Sequence, residues 1–147
     1  MSDLELQLQL YFYHKEIEQS PEYVFSVLKD DQEIIDRVQK LTAITYNSDV
    51  TNQRSVGTEG ILVYNEANIN TEVIFYTDNR RLEFESYVPA GRLWTMVNIV
   101  PVEGRSELTI STKLITDSPV SFALYALKIP RVKKQFNDIV GRLEAGE

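Results

Sequence analysis

Apolar and polar residues alternate along much of this chain, and the places where the alternation stops divide it into elements. Leu4, Leu6, Leu8 and Leu10 are separated by polar residues, the period of a strand with one buried face. Tyr11, Phe12 and Tyr13 then run consecutively, which predicts either a bulge that changes the facing or cover on both sides. Ser20-Pro21-Glu22 supplies a hydroxyl cap, a proline at the first helical position and an acid at the positive end of a helix. Val24, Phe25, Val27 and Leu28 are its apolar stripe. Asp30 with Glu33 makes a capping-box pattern for a second short helix carrying Ile34, Ile35, Val38 and Leu41.

From Leu41 onward the chain is rich in strand-forming residues. Turn signals at 47–52, 65–68, Asp78-Asn79, Pro89-Ala90-Gly91 and Glu103-Gly104 divide it into six strands. The connections are short, so consecutive strands should pair antiparallel. Leu82 and Phe84 alternate with Glu83 and Glu85, and Leu108, Ile110, Thr112 and Leu114 alternate with Thr109, Ser111 and Lys113. One face of the sheet is therefore covered and the other is wet.

Asp117-Ser118-Pro119 opens a long closing helix over 118–144. Phe122, Tyr125, Ile129, Val132, Phe136, Ile139, Val140 and Leu143 project into one stripe, with Lys128, Arg131, Lys134 and Arg142 opposite. Pro130 removes a helical hydrogen bond and crowds the Ala126 carbonyl, at a cost of about 3 kcal/mol, so the helix should kink there. A fresh helix beginning at Pro130 would need Ile129 as its cap, a poor residue for that role. Leu124 and Leu127 project away from the stripe. Either the kink returns them to the core, or they gate a cavity mouth, or they touch a partner protein or a membrane surface.

Composition narrows the chemistry. The 147 residues suit one domain spanning 1–147 with a single core. With no cysteine there is no disulfide, thiolate nucleophile or zinc–thiolate site. The net charge of -7 argues against nucleic acid. No apolar run approaches the roughly 20 residues that span a bilayer, and the first residues lack a leader pattern, so a cytoplasmic location is expected. His14 is the sole histidine. No nucleophile elbow, phosphate-binding glycine loop or metalloprotease helix is present, and no cofactor is indicated. Glu83 and Glu85 read as part of the wet face rather than as an acid/base pair.

The stretch Glu16-Ile17-Glu18-Gln19-Ser20-Pro21-Glu22-Tyr23-Val24-Phe25, the segment Ser55-Val56-Gly57-Thr58-Glu59 and the hairpin Val100-Pro101-Val102-Glu103-Gly104-Arg105-Ser106-Glu107-Leu108 follow in an order that resembles the START and Bet v 1-like (SRPBCC) helix-grip superfamily, including its small polyketide cyclase and dehydrase members. The resemblance implies an α+β helix-grip fold. A seven-stranded curved antiparallel sheet would wrap around the long C-terminal helix, with two short helices between strands 1 and 2. It also implies a cavity between sheet and helix that often holds an apolar ligand. Tyr46, Tyr64, Tyr76, Trp94, Met96, Asn98, Phe122 and Tyr125 lie on elements that would surround such a cavity, Trp94 and Tyr125 foremost. Leu124 and Leu127 would belong to a lid over 120–129 that moves about Pro130 as its hinge. The expected function is non-catalytic binding or transport of a hydrophobic or amphipathic small molecule. The alternatives are a chaperone- or ribosome-associated type of interaction module acting through the C-terminal helix, and a cyclase or dehydratase, which would need His14 or an acid facing the cavity.

Overall fold

The computed structural model describes residues 5–28, 41–46, 59–64 and 68–145; for β2, Glu59 and Tyr64 it describes the backbone alone. The elements run β1 (Leu6–Ile17), α1 (Pro21–Leu28), β2 (Leu41–Tyr46), β3 (Glu59–Tyr64), β4 (Asn68–Thr77), β5 (Arg81–Val88), β6 (Gly91–Val102), β7 (Arg105–Thr116), α2 (Pro119–Ala126) and α3 (Ile129–Ala145). The second helix expected from Asp30 lies outside the described residues, as do the turns at 47–52 and 65–67, except that Leu41, expected on its stripe, begins β2. The strands form one sheet in the order β1-β7-β6-β5-β4-β3-β2, every neighbouring pair antiparallel.

Turn chemistry sets the hairpins. Glu103 and Gly104 both have positive φ, 50° and 84°, the backbone that lets a two-residue loop follow the strand twist. Val102 therefore pairs with Arg105, and counting outward pairs Ile99 with Leu108 and Thr95 with Thr112. At the start of β6, Gly91 has φ 150°, and a Cβ there would lie 2.2 Å from the Ile115 carbonyl oxygen. Only glycine lets β6 approach β7 so closely.

In β1 the three consecutive aromatics are resolved by a bulge at Leu10. Gln9 pairs with Lys113 and Tyr11 with Thr112, so Leu10 has no partner across the ladder. The Gln9 amide bridges the gap, donating to the Tyr11 carbonyl at 2.6 Å and the Ser111 hydroxyl at 2.9 Å. Tyr11 thereby turns into the core, while Phe12 stays 61% exposed on the other face.

The core gathers Leu82, Val97, Ile99, Leu108 and Ile110 from one face of β5, β6 and β7 against Val24 and Phe25 of α1 and Ile139, Val140 and Leu143 of α3. This is the helix-bearing inner face; the alternate residues form the outer face.

The closing segment is two helices rather than one. Ser118 caps α2, its hydroxyl accepting from the Ser121 amide at 3.2 Å, and Pro119 fills the first turn. The turn closes with the Lys128 amide on the Tyr125 carbonyl at 2.9 Å, and the Lys128 carbonyl then accepts from the Val132 amide at 3.1 Å. The break therefore falls at Leu127–Lys128, not as a kink at Pro130. Beginning a new helix places Pro130 in a first turn, where its missing N–H costs nothing and no preceding carbonyl is crowded. The Lys128 backbone takes the cap position, so Ile129 need not.

Candidate functional site

The inner face divides into two halves. The half formed by Leu82, Val97, Ile99, Leu108 and Ile110 is aliphatic and closed by α1 and α3. The other half carries hydroxyls. One row crosses the strands as Val73, Phe84, Thr95, Thr112 and Tyr11, and the next as Thr71, Ser86, Leu93, Leu114 and Leu8. Thr95 and Thr112, both buried, share a hydrogen bond of 3.2 Å. Ser86 donates to Thr71 at 3.2 Å, and the Thr71 hydroxyl donates to the Glu85 carbonyl at 3.0 Å. The inner positions of β5, β6 and β7 bear no charged side chain.

Two aromatic groups flank this half. Tyr11 stacks on Phe136 of α3 at 4.7 Å and donates its hydroxyl to Asn137 at 2.8 Å. Phe84, the strand partner of Thr95, packs against the core edge. α2 rests on β1 and β7, yet none of its eight residues is buried. Its half-buried side carries Phe122 and Tyr125. Burial pushes the Tyr125 phenol pKa up, and the Lys128 ammonium lies 4.4 Å over its ring.

The residues singled out from the sequence divide between the faces. Tyr76 is on the inner side, its ring edge-on to Phe25 at 5.6 Å and its hydroxyl donating to Asp78 at 2.7 Å. Phe122 and Tyr125 lie on α2, as above. Tyr46 and Tyr64 sit at the register positions opposite Gly60 and Leu41. Trp94, Met96 and Asn98 correct the expectation: they alternate with buried Thr95, Val97 and Ile99, so they lie on the outer face. There the Trp94 indole N–H donates to Glu83 at 2.9 Å, with Lys113 over its ring. Glu83 and Glu85 share that face but are not simply wet. Their side chains are 14% and 13% exposed, paired with Arg81 at 2.7 Å and Arg92 at 2.5 Å.

Leu124 and Leu127 are 56% and 79% exposed, so the helix break does not return them to the core. Pro130 begins α3 rather than hinging a single helix. Arg142, expected opposite the stripe, is half-buried and donates to the Tyr23 hydroxyl. His14 is on the outer face, 2.8 Å from the Thr109 hydroxyl and 3.5 Å from Glu107. Among the described residues no cluster of three or more His, Asp or Glu could hold a metal ion, and no helix is long and apolar enough to cross a membrane.

The hydroxyl rows were missed because Thr95 stands in a strand that is apolar on both faces. The signal was available: counting back from the Glu103-Gly104 turn places Thr95 opposite Thr112, which the β7 alternation already puts on the covered side.

No family model matches the chain, and no curated protein matches it in sequence. Solved structures match it in shape. The Mll3558 protein of Rhizobium loti is 16% identical, covering 98% of this chain and 99% of its own at a TM-score of 0.65. Ara h 8.0201 is 8% identical, covering 93% and 99% at 0.63. Norcoclaurine synthase of Thalictrum flavum, in complex with dopamine and hydroxybenzaldehyde, is 11% identical, covering 95% and 87% at 0.64. At these identities the likeness is one of fold.

Proposed function

Because the chain has the helix-grip fold of the Bet v 1-like superfamily, we propose that it binds a hydrophobic or amphipathic small molecule, lipid-like or aromatic, between the inner sheet face and the C-terminal helices, without covalent chemistry. Proteins of this fold commonly bind hydrophobic ligands. The observation that carries the reading is α2, an apolar helix that rests on β1 and β7 with no residue buried. A ligand beneath it would cover Phe122 and Tyr125 and contribute the burial that α2 lacks. The lid would move about Leu127–Lys128, two residues before Pro130.

A panel of fatty acids, sterols, quinones and aromatic polyketides, followed by melting temperature, tests this. A ligand at a hundred times its Kd stabilises by about 2.7 kcal/mol, which raises the Tm of a chain this size by roughly 5–10 °C. Phe122→Ala and Tyr125→Ala should shrink the shift, and Val120→Ser should not. A panel that moves the Tm for no member sinks the proposal.

A second reading, an interaction module of the chaperone- or ribosome-associated type, is favoured by Val120, Leu124 and Leu127, which are 69%, 56% and 79% exposed at helical spacing. Replacing Leu124 and Leu127 by serine would abolish partner capture under that reading and leave small-molecule binding intact under the first. A cyclase or dehydratase draws no support from His14, which faces outward.

A further inference from the structure

We infer that the ligand is a neutral apolar molecule bearing a carbonyl-type acceptor, and that the Thr95–Thr112 hydroxyl pair is what recognises it; this rests on the binding function proposed above. The two side chains are 7% and 5% exposed and stand side by side in the row of the inner face whose other members are Val73, Phe84 and Tyr11. Two hydroxyls carry two protons, and their mutual hydrogen bond at 3.2 Å uses one. Neither hydroxyl makes another hydrogen bond among the described residues, so one O–H is left to donate.

The neighbouring pair differs. The Ser86 hydroxyl donates its hydrogen bond to Thr71, and the Thr71 hydroxyl donates to the Glu85 carbonyl. That pair can only accept. Among the described side chains of the sheet's inner face, the hydroxyl left to donate is therefore at Thr95–Thr112.

A buried donor without an acceptor favours any apolar ligand that brings one, because the same group in a pure hydrocarbon complex stays unmade. Ketones, quinones and esters qualify. A free carboxylate also accepts, but it carries a charge into a surface whose inner positions on β5, β6 and β7 hold no cation. Phe84 and the stacked Tyr11 on either side of the pair suit a flat ring beside the acceptor.

Calorimetric titration of the full chain with acetylnaphthalene, ethylnaphthalene and naphthoic acid separates these classes. The ketone should bind about five- to tenfold tighter than the hydrocarbon, and the acid weakest of the three. In the double variant Thr95→Val with Thr112→Val, which keeps side-chain shape, the melting temperature should hold within a few degrees and the ketone should fall to the affinity of the hydrocarbon. Equal binding of ketone and hydrocarbon by the natural chain, or a ketone preference that survives the double variant, overturns the inference and leaves the binding function standing. If the double variant fails to fold, the ranking on the natural chain decides alone. Failure of all three probes, together with the wider panel, overturns the binding function itself.

Discussion

Glu144, at the end of α3, accepts from the Tyr13 hydroxyl at 2.8 Å and from Lys15 at 3.3 Å. The Tyr13 hydrogen bond, with help from Lys15, holds the Glu144 carboxyl below its ordinary range, while burial and the Glu144 charge raise the Tyr13 phenol well above its own. The signs set a window. A lowered carboxyl contributes stability that is present above its unfolded pKa and is lost as pH falls through the folded value. A raised phenol contributes stability that is present below its ordinary value of 10.0 and is lost as pH rises beyond it. Tyr13→Phe should cost about 1 kcal/mol near neutrality, since the pair is exposed and screened. It should also flatten the acid limb of a Tm–pH profile. An acid limb unchanged by the substitution would show that Glu144 gains nothing from Tyr13. At this scale Tyr13 and Glu144 could not be matched from sequence, because nothing local to either specifies which turn of α3 crosses β1.

At the scale of elements, turn and cap residues made most of the fold legible. Asp78-Asn79, Glu103-Gly104, Ser20-Pro21 and Ser118-Pro119 each mark a boundary the structure keeps. Facing was harder. β6 reads Leu93, Trp94, Met96, Val97, Ile99 and Val100, apolar on both sides, and its one threonine at the inner face looks like an outward residue. Its faces are fixed only by pairing with β5 and β7, whose alternation is clean. At Gly91 the β6 backbone lies close against β7. Gly91→Ala would drive a Cβ into the Ile115 carbonyl, and a loss of about 2 kcal/mol, or roughly 4–8 °C in Tm, is expected. The two closing helices differ in their hold on the sheet. α3 is tied to β1 by Tyr11–Asn137 and Tyr13–Glu144 and to α1 by Tyr23–Arg142, whereas α2 buries no residue. Amide hydrogen exchange should therefore be at least tenfold faster in 120–126 than in 136–143; equal protection would mean α2 is no independent lid.

For the whole molecule, the exposed Leu124 and Leu127 lie outside the core. Serine at both positions should change the Tm by no more than about 0.5 kcal/mol equivalent, and a larger loss would show that they pack in solution. What remained illegible at this scale was which side of the sheet each aromatic serves, since Trp94 and Tyr125 are equally good wall residues until the register separates them. The separation has a practical consequence. The chain has one tryptophan, and it reports on the Glu83–Arg81–Lys113 surface, so indole fluorescence should stay silent when a molecule enters beneath α2 and respond when something settles on the opposite side. A titration that shifts melting but not emission, or the reverse, would thus tell the two surfaces apart without any engineered label.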